Sequence, residues 1–187
     1  MPAPAQQKEP LDPVRAQYKE GRELLQKGDL AAAAMALHNA LKGFEEQGDL
    51  QGVANAAARL GDICAGREEF SLALEHYQHS REICRQLGDP FSLVSLDKKL
   101  TTMHRLLGQF EQALVCCSRM LDHYGDTKNP QGMVQVLEML VDLYQDAGQR
   151  DKAVDTLRTI ASIHRSFKHE RTAQRYEEQA QALEQGQ

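Results

Sequence analysis

The stretch Gly108-Gln109-Phe110-Glu111-Gln112-Ala113-Leu114 decides the fold. It joins a turn glycine to an aromatic residue and then to an alanine–leucine step at the start of a helix. The same phrase stands as Gly28-Asp29-Leu30-Ala31-Ala32-Ala33-Ala34, as Glu68-Glu69-Phe70-Ser71-Leu72-Ala73-Leu74 and as Gly148-Gln149-Arg150-Asp151-Lys152-Ala153-Val154. Its alanine recurs at 33, 73, 113 and 153, a constant period of 40 residues. A fixed period of roughly 20–50 residues marks stacked supersecondary units, each burying its apolar face against its neighbours.

Outward from the phrase, the pattern is helical throughout. Asp12-Pro13 supplies an acidic N-cap and a proline at the first helical position, which predicts a helix to about Lys27. Gly28 stops it and Asp29 caps a second helix, from 30 to about 46, with Ala33, Leu37, Ala40, Leu41 and Phe44 at helical spacing. Further helices are predicted at about 50–65, 70–87, 90–107, 110–123, 130–147 and 150–166, with Gly125 to Pro130 as the longest internal loop. The caps between pairs, Asp49, Asp89 and Asn129, keep the 40-residue spacing. A last helix, about 169–185, carries a thin stripe of Ala173, Tyr176, Ala180 and Leu183 on a polar background, as a terminal unit with one wet face requires. The expectation is an all-α solenoid of four antiparallel helix pairs, at about 12–47, 50–87, 90–124 and 130–166, closed by a C-terminal capping helix. Residues 1–10 read as a disordered tail. Residues 11–187 read as a single domain, because neither the period nor the composition breaks.

Composition narrows the class of function. A net charge of −5 argues against a nucleic-acid binder that works by neutralising phosphates. Cys64, Cys84, Cys116 and Cys117 have no C-x-x-C pairing, which points to reduced thiols in a cytoplasmic protein. Met1 to Pro10 has no apolar core for a signal peptide. No window approaches the ~18 apolar residues of a spanning helix, so no membrane insertion is expected. Phosphate-loop, nucleophile-elbow and dinucleotide motifs are absent from the sequence. His76 and His79 share a helix face, but a zinc site needs three or four converging ligands. His169-Glu170 begins a zincin-like string in which Ala173 stands where the second histidine is required. The expectation is a protein that is not an enzyme and holds no cofactor or metal.

The 40-residue pairs resemble tetratricopeptide repeats (TPRs) in their longer-helix variety, across about residues 12–185. The resemblance rests on Gly21 and Gly61, small residues on first helices, and on Leu60, Leu100 and Leu140 beside that position. It rests equally on Ala33, Ala73, Ala113 and Ala153 of the second helices, each followed four residues on by Leu37, Tyr77, Cys117 or Leu157. Thr101 and Val141 depart from the first-helix glycine. Gln17, Ala57, Asp97 and Leu137 stand where an aromatic is common. The resemblance implies a right-handed superhelix whose first helices line a concave face that binds an extended or helical peptide of a partner protein.

First-helix residues turned away from the second helices are therefore the candidate groove. They are Arg15, Tyr18, Lys19 and Arg22 in pair one, and Asn55, Arg59 and Asp62 in pair two. Pair three offers Lys98, Lys99, Thr102 and Arg105; pair four offers Gln135, Glu138, Asp142 and Gln145. The row is basic through pair three and acidic in pair four. That pattern suits a partner with an acidic segment, because arginine binds carboxylates bidentately. The chaperone-binding carboxylate clamp of relatives is not matched: Arg22 and Arg59 take the places of its asparagines. The leading expectation is a non-enzymatic protein–protein interaction scaffold. The alternative is a self-associating assembly module that uses an end or the convex face, with Tyr124, Phe167 and Tyr176 as exposed aromatics and a homo-oligomer as the product.

Overall fold

The computed structural model describes residues 12–186, so the N-terminal tail expected at 1–10 lies outside the described residues. The described residues form nine helices and no strand. These are α1 (Pro13–Lys27), α2 (Leu30–Gln47), α3 (Leu50–Gly66), α4 (Phe70–Leu87), α5 (Pro90–Leu106), α6 (Phe110–Asp126), α7 (Pro130–Asp146), α8 (Arg150–Ser166) and α9 (Glu170–Glu184). Connections of two or three residues fold each helix back on the one before it. None of the helices is long and apolar enough to cross a membrane, among the described residues.

The corners reveal a finer period than the sequence phrase. A residue in the left-handed region turns the chain at 28, 48, 68, 88, 108, 128, 148 and 168. The backbone therefore repeats every 20 residues, one helix and one corner. Glycine fills this position at five corners, while Glu68, Lys128 and Lys168 hold φ values of 61°, 50° and 60°. A side chain costs about 1–2 kcal/mol in that conformation, so helix packing on both sides of these corners must supply the difference. Between pairs the helix starts are chemically capped. The side chains of Asp49, Asp89 and Asn129 accept the backbone N–H three residues on, at 2.9–3.1 Å. Asp29 caps α2 in the same manner, and Asp12 caps α1 by accepting the Val14 N–H, two residues on. Glu69, Gln109, Gln149 and His169 make no such bond.

One expectation is corrected here. α6 continues to Asp126, and the link to α7 is three residues long, like those before α4, α6, α8 and α9. Gly125 does not end the helix; it sits in the last turn with open space around it. The corner is Lys128, because register against the neighbouring helices, not local glycine content, places the turn.

The recurrent alanines are crossing points. Ala33, Ala73, Ala113, Ala153 and Ala173 are all fully buried. Opposite them, first-helix and second-helix residues sixteen apart share a fixed volume. A Cβ on Gly21 would lie 2.6 Å from Leu37 Cγ, and one on Gly61 would lie 2.6 Å from Tyr77 Cε1. In pair three, Thr101 faces the smaller Cys117, with Oγ1 4.0 Å from Sγ. In pair four, Val141 and Leu157 join the same apolar cluster. In pairs one to three, glycine thus stands where the partner is large and the β-branched Thr101 where the partner is small; pair four packs Val141 and Leu157 into one cluster instead.

The chain divides at Gly88/Asp89 into two compact units, α1–α4 and α5–α9. In the first, α1 packs on α2, α2 on α3 and α3 on α4. Ser80 adds a buried hydrogen bond from its hydroxyl to the Ala54 carbonyl, 2.8 Å. In the second, one apolar cluster forms around Met120, Val136 and Leu143 and another around Leu157, Ile160 and Tyr176. Full burial of such side chains is worth about 1.5–3 kcal/mol each.

Candidate functional site

In the first unit, α1 and α3 bring four of the predicted residues, Tyr18, Arg22, Arg59 and Asp62, close together. The Tyr18 ring packs edge-on against Phe44, centroids 5.9 Å apart, which fixes its orientation. The Arg22 guanidinium lies 5.8 Å from the Tyr18 ring centroid. Arg59 donates from Nη1 to Asp62 Oδ2 at 3.0 Å. The Tyr77 hydroxyl donates to Asp62 Oδ1 at 2.9 Å. Partial burial opposes the charge on Arg59, but the Asp62 carboxylate and the Tyr18 hydroxyl outweigh it and hold the guanidinium above its ordinary pKa. Burial, and then the Asp62 carboxylate, raise Tyr77 far above the usual tyrosine range, so its hydroxyl is a constant donor. Arg15 reaches Asp49 at 3.3 Å, and Lys19 pairs with Glu23 at 3.9 Å. Asn55 is exposed beside this group.

In the second unit, the change of charge sign is largely satisfied inside the chain. Lys98 Nζ donates to Gln135 Oε1 at 2.8 Å. Arg105 donates from Nη1 to Asp142 at 2.9 Å and from Nε to Asp146. Its hydrogen bond holds the Asp146 carboxyl below the ordinary range. The Tyr176 hydroxyl donates to Glu138. Each contact joins one first helix to the next: α5 to α7, or α7 to α9. Thr102 turns its hydroxyl back to the Lys98 carbonyl at 3.2 Å, and Gln145 is exposed. Between α7 and α9, Glu138, Asp142, Tyr176 and Arg175 rim a hollow of about 390 Å³ with an apolar floor of Leu157 and Ile160.

Two features differ from what the sequence suggested. Tyr176 is buried, not exposed, with its ring stacked on His164 at 5.5 Å, and Tyr124 is half-buried. The Tyr124 ring covers Gly132, whose added Cβ would lie 2.4 Å from it. Of the three aromatics, Phe167 stays 53% exposed. Second, the position of the missing first-helix aromatic holds a buried carboxylate in an ion pair with a partly buried arginine. Asp97, 3% exposed, accepts both oxygens' bonds from Arg119 Nε at 3.1 Å, and Arg119 also touches Cys116 Sγ at 3.1 Å. No group of three or more metal-ligating side chains converges among the described residues.

No protein-family model matches the chain. Over 100 residues it is 28% identical to human G-protein-signaling modulator 1, a match that covers 54% of this chain and 14% of that protein. The chain therefore spans only a small part of that relative's length. A solved kinesin light chain structure from Podosopora anserina, built of nearly identical TPR-like repeats, superposes with a TM-score of 0.66 at 16% identity, covering 91% of this chain and 94% of that one. The apo form of RapI, a Bacillus protein, superposes at 0.69 with 11% identity, covering 93% of this chain and 54% of that one. This chain has the TPR-like repeat fold.

The TPR-like array carries residues that pattern reasoning on Lys98, Thr102 and Arg105 passed over. Phe91 and Ser95 continue the same α5 stripe toward the N-terminus at helical spacing. The signal was present as an aromatic seven residues before Lys98, at a register where α3 and α7 have Gln51 and Gln131. Asp97 was counted as a gap in the repeat pattern, since nothing local points to Arg119, twenty-two residues on.

Proposed function

We propose that this TPR-like array is a non-enzymatic scaffold that binds a peptide or helix of a partner protein on the exposed face of its first helices, and that the partner carries an acidic segment. The observation that carries the reading is the α1–α3 surface, where the Arg22 guanidinium lies over the Tyr18 ring and the Arg59 guanidinium is held by Asp62. Arginine presents planar donors suited to a second carboxylate, and a stacked, pre-oriented guanidinium loses less freedom on binding. Arg15, Tyr18, Asn55 and Asp62 belong to this face in the first unit, and Lys98, Thr102, Arg105, Glu138 and Asp142 form the corresponding face of the second. Because Arg105 already holds Asp142 and Asp146 and Arg59 already holds Asp62, Arg22, placed over the Tyr18 ring, is the stronger anchor for an incoming acid.

The test is co-precipitation from the native host with wild type and an Arg22→Glu/Arg59→Glu double variant, identified by mass spectrometry. Loss of specific partners at unchanged helicity supports the reading. Equal recovery of the same partners removes these residues from the binding surface.

A further inference from the structure

Phe91 is the anomaly of the second unit. It is 78% exposed at the start of α5, although burying a phenylalanine is worth about 1.5–3 kcal/mol. The repeat does not require it, since Gln51 and Gln131 hold the corresponding positions of α3 and α7. Its ring meets the His123 ring edge-on at 6.2 Å, and His123 in turn meets Tyr124 at 5.4 Å. These rings and Val94 bound an open hollow of about 560 Å³ at the α5, α6 and α7 ends.

The chemistry of the hollow is one-sided. In a chain of net charge −5, no carboxylate is among the residues that line it. The charged group on its rim is the Lys98 ammonium, which spends one of its three donors on Gln135. Gln135 also lines the neighbouring hollow over Leu157 and Ile160, so the Lys98–Gln135 contact stands at the border between the two. A second copy of this chain is a poor occupant, because two bodies of charge −5 repel each other. An apolar side chain with a neighbouring acid fits both the rings and the lysine.

We propose that this hollow seats an aromatic or branched aliphatic side chain of the partner segment, and that an aspartate or glutamate next to it pairs with Lys98. The proposal rests on the scaffold reading above and names the local sequence it recognises. It extends the binding surface beyond Lys98 to Phe91.

Random twelve-residue peptides displayed on phage and selected on the full chain supply the probe. The dominant peptide is then synthesised, and its affinity measured by fluorescence anisotropy. The expected peptides place an apolar residue beside an acid. Phe91→Asp and Lys98→Glu are each expected to weaken binding tenfold or more at unchanged circular dichroism, and added salt is expected to weaken the wild-type complex. Selection of no binder, of peptides without acids, or of peptides indifferent to Phe91→Asp overturns the proposal. If the peptide ignores both α5 variants but is lost with Arg22→Glu/Arg59→Glu, the hollow fails and the scaffold reading stands; if it ignores all of them, both fail. A concentration-dependent dimer abolished by Phe91→Asp in sedimentation would make a second copy the occupant and also overturn the proposal.

Discussion

Replacing Gly61 with alanine sets two opposed effects against each other in one helix. Alanine is favoured over glycine by about 0.8–1 kcal/mol in a helix interior. At Gly61, however, the new Cβ would lie 2.6 Å from Tyr77 Cε1 and 2.7 Å from Cδ1. Tyr77 is 3% exposed, and its hydroxyl is tied to Asp62 at 2.9 Å, so the ring cannot swing away without breaking that bond. Overpacking costs about 1–3 kcal/mol, and a lost buried hydrogen bond about 1 kcal/mol more. The net expectation is a destabilisation of about 1–3 kcal/mol. Gly66, five residues on in α3, is the control. A Cβ there meets no atom within 4 Å, so Gly66→Ala is expected to be neutral or stabilising by up to about 1 kcal/mol. Urea titrations followed at 222 nm give the midpoints, and amide exchange in α3 and α4 reads the first unit separately from the second. Adding Tyr77→Leu to Gly61→Ala should recover part of the loss, as a coupling of about 1 kcal/mol. A Gly61→Ala protein as stable as wild type would refute the close-crossing argument.

Other perturbations have equally definite signs. Asp97→Ala should cost about 1–3 kcal/mol, because it leaves the partly buried Arg119 without its carboxylate, whereas Asp97→Leu/Arg119→Met should cost less by the same titration. Arg105→Ala should cost only about 0.5–1 kcal/mol, with the difference from wild type shrinking in high salt, since its partners are half exposed. That difference should also fade as pH falls through the lowered pKa of Asp146, where the carboxylate that Arg105 holds is protonated. At alkaline pH, burial pushes the Cys117 thiol up to about 11 from an ordinary 9.0, so its contribution to stability is intact below pH 9 and lost between 9 and 11. Tyr77, raised for the same reason, continues the loss above pH ~10, the ordinary tyrosine value. Cys117→Ala should flatten the first part of that decline in pH-dependent melting curves.

The helices, their order and their pairing were legible because the information is local. Alternating caps, corner glycines and a 3.6-residue apolar rhythm act within a few positions of the chain. The crossing alanines were legible because the repeat prints them four times. Where local chemistry and register disagreed, at Gly125 and at the non-glycine corners Glu68, Lys128 and Lys168, register prevailed, because packing over a whole helix outweighs one turn's preference. Candidate residues on the exposed face were legible as positions, since helical spacing says which side chains share a face.

Sequence by itself determined an all-α TPR-like array with a 40-residue unit, and the row of charged residues along its first helices. Tertiary structure alone decided which of those side chains already have partners. Arg105 on Asp142 and Asp146, Lys98 on Gln135, and Tyr176 on Glu138 are contacts between residues 37 to 41 positions apart. Their existence depends on distances of 3 Å between different helices, which a one-dimensional pattern does not contain. The same is true of the Asp97–Arg119 pair and of the exposed Phe91, whose meanings come from what surrounds them in space.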